Sequence, residues 1–300
     1  MKKKYVFLGD TNSINIEIIC KSHSIIKNKV KYILIGNKID LIKYLKKINS
    51  KLDINEILDP ISFRKYDSSK LNFYNVENLQ KKKSINIINQ INVSNKLSSI
   101  TNNELITMPI DKSIIKKEIT FNGMTEYLAK INKKMTVMLM YGNKFSVIPL
   151  TTHINLKNVN IHISKKFINS KLNNITKLIE ERDHRIDIDK VFFLCVNPHC
   201  SENRTIGNED QIIGNTIKNF SKINGPIPAD SAFNNFNKKS LFISMYHDQV
   251  LIPFKILNEN GINITLGLPF LRLSPAHGTA RNLKYKNKAD NLSFLKCMLF

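Results

Sequence analysis

An α/β fold with two lobes is predicted by three features of this chain. Short apolar runs alternate with helical stretches from the start, and the β-α-β-α opening over residues 4–48 implies a parallel sheet. Three later apolar runs each lead into a histidine, the layout of side chains gathered at the carboxyl edge of such a sheet. The chain's 300 residues exceed a typical single domain, and a hydrophobic fraction of 42% is ample for two cores.

The elements follow in order. Residues 4–8 read as the first strand of a soluble protein, because the apolar run after the basic start is too short for a signal sequence and Gly9-Asp10 ends it. Asn15 or Ser13 is placed to cap a helix beginning near Ile16. KYILIG at 31–36 is a second buried strand, and a helix over 38–48 comes next. Ile85, Ile88 and Ile91 permit a helix to about Ser99, although Asn92 and Asn95 interrupt its apolar face. Residues 104–108 make a third strand, running into Pro109-Ile110-Asp111-Lys112, and a helix starts at Met124. Gly142-Asn143 between 136–141 and 144–150 signals a hairpin. A helix over 163–182, a strand over 190–196 and a helix over 206–220 precede a rigid turn at 225–230. No repeat or linker divides the chain, so the lobes are expected to interleave, as 1–118 plus 282–300 and as 119–281.

The net charge of +22 raises the question of nucleic acid. Only six of the 46 basic residues are Arg, and the Lys are spread evenly among Ile and Asn. Nucleic-acid readers concentrate Arg and aromatic residues on one face, so this pattern fits an AT-rich genome better than a specific nucleic-acid site. No apolar run is long enough to span a membrane. Cys20, Cys195, Cys200 and Cys297 lack CxxC spacing, which points to a reducing compartment, no zinc knuckle, and a neutral filler role for Cys200.

Chemistry-bearing residues concentrate between Ser244 and Ala280. There a strand runs into Tyr246-His247-Asp248-Gln249, and Lys255, Asn263 and Arg272 follow at loop or strand-end positions. A point charge, an amide and a planar fork together suit a small phosphorylated acid. His277-Gly278-Thr279-Ala280 is a turn with backbone donors to offer. His153, His199 and His247 each follow a strand, and three neutral imidazoles can hold Zn²⁺ or a similar divalent ion as a Lewis acid. His23, His162 and His184 lack that setting and read as surface residues. Asp248 is either a partner of His247 or a base.

These residues carry a resemblance. NPH at Asn197, GPIPAD at Gly225, MYHDQ at Met245, NITLGLPF at Asn263, Arg272 and HGTA at His277 resemble the 4-hydroxythreonine-4-phosphate dehydrogenases of vitamin B6 synthesis. GD at Gly9, LIT-P--K ending at Lys112, G-TE at Gly123, TTH at Thr151 and KAD at Lys288 fit in the same order. The resemblance implies a two-lobed α/β/α architecture similar to isocitrate and isopropylmalate dehydrogenases. The implied reaction is NAD-dependent oxidation and decarboxylation of 4-phosphohydroxy-L-threonine to 3-amino-2-oxopropyl phosphate. It further implies a cytoplasmic homodimer with a shared site, and Zn, Mg or Co on His153, His199 and His247. Substrate contacts fall on Thr125, Lys255, Asn263 and Arg272, and His277, Gly278 and Thr279 hold the cofactor's adenosine end. Lys112 and Asp248 are the candidates for proton handling.

The sequence also departs from that family. Its Gly-rich first loop, GDPAGIGPE in form, reads GDTNSINIE here, so Ser13 and Asn15 stand in place of glycines. Met124 replaces a substrate-contacting histidine, Ala276 an aspartate, and 200–204 a Gly-rich run. A dehydrogenase of threonate or erythronate 4-phosphate, or a non-catalytic metal- or phosphate-binding dimer, are the alternatives these changes leave.

Overall fold

The computed structural model describes residues 3–78, 80–116, 118–119 and 121–300, and its strands are largely the apolar runs of the sequence. The fold is mixed α/β. Two compact units divide the chain, Met1–Lys134 with Leu268–Phe300, and Met135–Gly267.

The first unit opens with β1 (Lys3–Phe7), α1 (Asn15–Ile26), β2 (Lys31–Gly36), α2 (Lys38–Lys47), β3 (Ile54–Glu56) and β4 (Leu71–Asn75). It continues with α3 (Lys83–Thr101), β5 (Glu104–Thr107), α4 (Lys112–Ile115) and α5 (Met124–Asn132). The strands lie in the order β3-β4-β2-β1-β5 and pair in parallel. Tyr5, Val6, Phe7, Ile33 and Leu34 are fully buried, which is why these strands read as unbroken apolar runs rather than as alternation. The residue at the N-cap of α1 is Ile14, not Ser13 or Asn15, yet Ser13 Oγ accepts the Asn15 N–H at 3.1 Å and serves the first turn. Helix α3 is longer than the isoleucine spacing predicted. Its buried face runs through Ile87, Ile91, Ser94, Leu97 and Ser98, while Ile85 and Ile88 are only half-buried.

The second unit contains β6 (Val137–Tyr141), β7 (Ser146–Pro149), α6 (Lys165–Glu180), β8 (Lys190–Leu194), α7 (Glu209–Ile217), β9 (Ile223–Ile227), β10 (Ser240–Ser244), α8 (His247–Leu257) and β11 (Ile262–Leu266). Its order is β11-β6-β7-β10-β8-β9. The pairs β11/β6 and β6/β7 are antiparallel, the predicted hairpin, and β7/β10, β10/β8 and β8/β9 are parallel. Phe145 anchors the core, with the rings of Phe236, Phe242 and Phe254 at 4.8, 5.5 and 6.0 Å. The first half of the rigid turn expected at 225–230 is instead the end of the edge strand β9, where proline is tolerated because one side of the strand needs no ladder donor, and a turn follows at 229–230.

The chain then returns to the first unit with β12 (Arg272–Pro275) and α9 (Leu292–Leu299). The units therefore part at other residues than the expected lobes. Phe121 and Leu128 join Phe7, Ile87 and Ile91 in one apolar cluster, and β12 pairs with β5, setting Leu273 opposite Ile106. Segments 119–134 and 268–281 thus belong with the first unit. Among the described residues no helix is long and apolar enough to cross a membrane.

Candidate active site

In the second unit the order β7-β10-β8 sets three parallel strands side by side. His153, His247 and His199 follow the carboxyl ends of these three strands, four, three and five residues past Pro149, Ser244 and Leu194. Beyond its last paired residue, the chain after β7 stays bonded to the chain after β10. Leu150 N–H donates to Ser244 O at 2.8 Å and Thr151 N–H to Met245 O at 3.1 Å. That continuation carries His153 beside His247, with ring centroids 6.0 Å apart. His247 is the first residue of α8, and its Nδ1 lies 2.7 Å from Asp248 Oδ1. A carboxylate on Nδ1 fixes the ring and leaves Nε2 to coordinate, the usual support for a metal-binding imidazole.

His199 departs from this pair. It opens a run, 199–204, in which every residue has a positive φ between 42° and 80° and none is glycine. Left-handed geometry costs an L-residue about 1 kcal/mol or more, so the six residues hold on the order of 6 kcal/mol of strain or more. Asp210 anchors its base, accepting from Val196 N–H at 2.7 Å, Asn197 N–H at 3.1 Å and Ser201 Oγ–H at 2.7 Å. A Cys195–Cys200 disulfide closes the turn, with Cα atoms 5.1 Å apart. This corrects the reading of Cys200 as a neutral filler. Among the described residues no three His, Cys, Asp or Glu side chains gather into a group that could hold a metal ion. The donor chemistry and the strand order suit a divalent metal.

Asn263 lies in β11 with its Oδ1 buried and unbonded, an acceptor kept for a ligand or water. Lys255 is exposed on α8 rather than at a loop or strand end. It stands eight residues past His247, about 12 Å along the helix axis, and apart from the histidine edge.

The first unit assembles a different cluster. Arg272 is 3% exposed; its Nε donates to Thr107 Oγ1 at 2.9 Å, and its Nη1 approaches Thr125 Oγ1 at 3.5 Å. Burial lowers its pKa to about 10, against the attraction of Cys297 and Glu126. Lys112, the first residue of α4, is also shifted down by burial, a shift opposed by Glu126 and aided by Lys116. Glu126 thus faces both cations. The sequence reading quoted it in a motif but gave it no role.

The turn after β12 sits against the first loop, where Ile14 N–H donates to Thr279 O at 3.2 Å. His277 Nδ1 donates to Gly278 O at 2.9 Å, its Nε2 is buried without a partner, and burial pushes its pKa down. No atom lies within 4 Å of where a Cβ on Gly278 would stand. A neutral ring with an open acceptor beside an unobstructed glycine fits a nucleoside base or ribose. The network behind it escaped the sequence reading: Asp10, fully buried, pairs with Lys83 at 2.6 Å and with Arg281 at 3.4 Å. His23 also differs from its reading as a surface residue. It is 2% exposed, with Nδ1 2.7 Å from Tyr32 Oη.

The sequence model of the family described as Pyridoxal phosphate biosynthetic protein PdxA matches residues 14–300. The chain belongs to the PdxA family. Within it, 4-hydroxythreonine-4-phosphate dehydrogenase of Sulfurihydrogenibium sp. (strain YO3AOP1) is 35% identical over 99% of this chain and 97% of its own length. The enzyme of the same name from Aquifex aeolicus (strain VF5) is 34% identical over 99% and 96%. The crystal structure of 4-hydroxythreonine-4-phosphate dehydrogenase from Klebsiella pneumoniae superposes with a TM-score of 0.82 at 25% identity, covering 99% of this chain and 98% of that one.

Proposed function

We propose that this PdxA-family chain is an NAD-dependent dehydrogenase that oxidises and decarboxylates 4-phosphohydroxy-L-threonine to 3-amino-2-oxopropyl phosphate. The observation that carries the reading is the family match over 14–300, joined to three histidines at adjacent parallel strand ends. His153, His199 and His247 would hold Zn, Mg or Co, with Asp248 orienting His247. A divalent ion held there would supply Lewis-acid chemistry for the oxidation and decarboxylation, and NAD⁺ would supply the hydride acceptor.

The chain's own residues supply the rest. Arg272, positioned by Thr107 and Thr125, presents a fixed planar cation to a phosphate or carboxylate, and Thr125 adds a hydroxyl. Lys112, its ammonium disfavoured by burial, gives up a proton more readily than an ordinary lysine, and Lys112 and Asp248 are assigned the proton transfers. Lys255 and Asn263 are assigned to substrate, and His277, Gly278 and Thr279 to the adenosine end of NAD. A homodimer and a cytoplasmic location belong to the same reading.

One observation favours a second substrate. Met124 packs against the apolar cluster around Phe7 and Phe121, so this position offers carbon rather than a hydrogen bond. Threonate or erythronate 4-phosphate is then the alternative. The test is NADH formation, followed by absorbance, with each phosphorylated acid in turn and the chain loaded with Zn²⁺, Mg²⁺ or Co²⁺. Turnover with 4-phosphohydroxy-L-threonine at least tenfold above the other acids is expected. Preference for another acid moves the assignment to it, and no turnover with any of them refutes the dehydrogenase reading.

A further inference from the structure

We propose that Lys47 and Lys284, set around the ring of Tyr285, form a phosphate subsite beside the adenosine turn. The chain then takes NADP⁺, the 2′-phosphorylated form, as well as NAD⁺, and binds its adenosine end more tightly, an inference resting on the reading that His277, Gly278 and Thr279 hold that end. The first loop joins the turn to the lysines. Ile14 N–H donates to Thr279 O at 3.2 Å, and the carbonyl of Ser13 accepts from Tyr44 Oη at 2.8 Å. One residue further back, Asn12 Oδ1 accepts from Lys284 Nζ at 2.9 Å. Tyr44 and Tyr285 pack together, with ring centroids 4.7 Å apart. Lys284 Nζ lies 4.5 Å from the centre of the Tyr285 ring and 5.8 Å from that of Tyr44, and Lys47 Nζ lies 5.3 Å from that of Tyr285. The segment that carries Lys284 is fixed at its far end. Lys21 Nζ donates to Asn287 O at 2.8 Å and to Ala289 O at 3.0 Å, and Glu17 Oε1 accepts from Ala289 N–H at 3.0 Å.

Charge gives this cluster its meaning. Two ammonium groups share one aromatic ring, and among the described residues neither has a carboxylate partner. Held together without a counter-ion they repel each other, and a multiply charged anion between them relieves that repulsion. Arg281 is no part of the subsite, because Asp10 and Asp111 already take up its guanidinium. A site that selects NAD sets a carboxylate against the ribose 2′-hydroxyl, where it would repel a phosphate, whereas a site that takes the phosphate offers a cation. From Thr279 to Ala289 the chain carries Arg281, Lys284, Lys286 and Lys288 and no Asp or Glu. The selecting acid is missing from this segment, and lysines stand in its place.

The test is isothermal titration calorimetry of the full chain with 2′,5′-ADP and with 5′-AMP, which differ only in the 2′-phosphate. The bisphosphate should bind at least about tenfold more tightly, the scale of one charge-assisted hydrogen bond, and its advantage should shrink as salt is raised. Lys47→Ala with Lys284→Ala should bring the two nucleotides to within about threefold of each other. Gly278→Val, which fills the open face of the turn, should abolish binding of both. Equal affinity of the wild-type chain for the two nucleotides overturns the subsite and leaves the adenosine assignment standing. A preference that survives the double lysine variant also overturns it, because another group would then hold the phosphate. Bisphosphate binding that persists in Gly278→Val overturns it as well, since the lysines would then take anions apart from the turn. Binding of neither nucleotide overturns the adenosine assignment and the subsite with it. The wild-type comparison needs no variant to fold.

Discussion

The loop after β1 and the turn after β8 both stand where the family resemblance places glycines, and they accommodate the replacements differently. In the first loop only Gly9 has a positive φ, +72°, and a Cβ there would strike the Pro109 carbonyl and the Asn15 amide. The replacements sit in ordinary backbone and act through side chains. Asn15 Nδ2 donates to Leu8 O at 2.9 Å and to Pro109 O at 2.8 Å, tying the ends of two neighbouring strands, and Ser13 Oγ donates to Asp10 O and accepts from the Asn15 N–H at 3.1 Å. The turn after β8 keeps the left-handed backbone without the residue that adopts it cheaply. Loss of glycine was absorbed as hydrogen bonding in one place and as backbone strain in the other. Replacing glycine therefore has a different structural consequence in each place.

The largest expected effect removes what holds the strained turn together. Asp210→Ala strips three donors of a buried acceptor and should lower stability by about 3 kcal/mol or more in urea unfolding. A loss under about 1 kcal/mol would mean that the turn holds itself. Next comes Asn15→Gly, which restores the family residue yet should destabilise by about 2 kcal/mol, because two buried carbonyls lose their donor. The counterpart in the other region is Glu202→Gly, at φ 42°. Relief of left-handed strain, less the added freedom of the unfolded chain, should stabilise by about 0.5 kcal/mol. If both glycine variants move stability the same way, the contrast between the regions fails. One further expected change is functional, and at about tenfold it lies between the two glycine variants in size. Met124→His should raise kcat/KM for 4-phosphohydroxy-L-threonine by about tenfold, one hydrogen bond's worth of transition-state stabilisation. A fall instead would mean that the pocket has been rebuilt around the methionine.

Most strands were legible in the sequence because strands buried on both faces leave continuous apolar runs, as at 31–36 and 190–194. Strand β9 was not, since Gly225-Pro226 reads as a turn and only its position at the sheet edge permits a strand. Helix α8 was hidden by Pro253 within it, which moved Lys255 from an expected loop or strand end onto a helix. The buried face of α3 escaped because serine and glutamine share it with Ile87 and Ile91. At the site, the strand-end histidines were readable because strand ends can be counted along a chain. The disulfide was not, because a spacing of five residues carries no pairing signal until the backbone folds back on itself. Nor were Asp210 and Glu126, whose importance lies in what they face across space.

The account stands on one claim, that His153, His199 and His247 are the ligands of one divalent ion. Anomalous diffraction from crystals soaked in Co²⁺ tests it most directly. One ion with three imidazole nitrogens at about 2.0–2.2 Å, one from each strand end, is the expected result. An ion bound by His153 and His247 without a His199, or no ion at this edge, would contradict it.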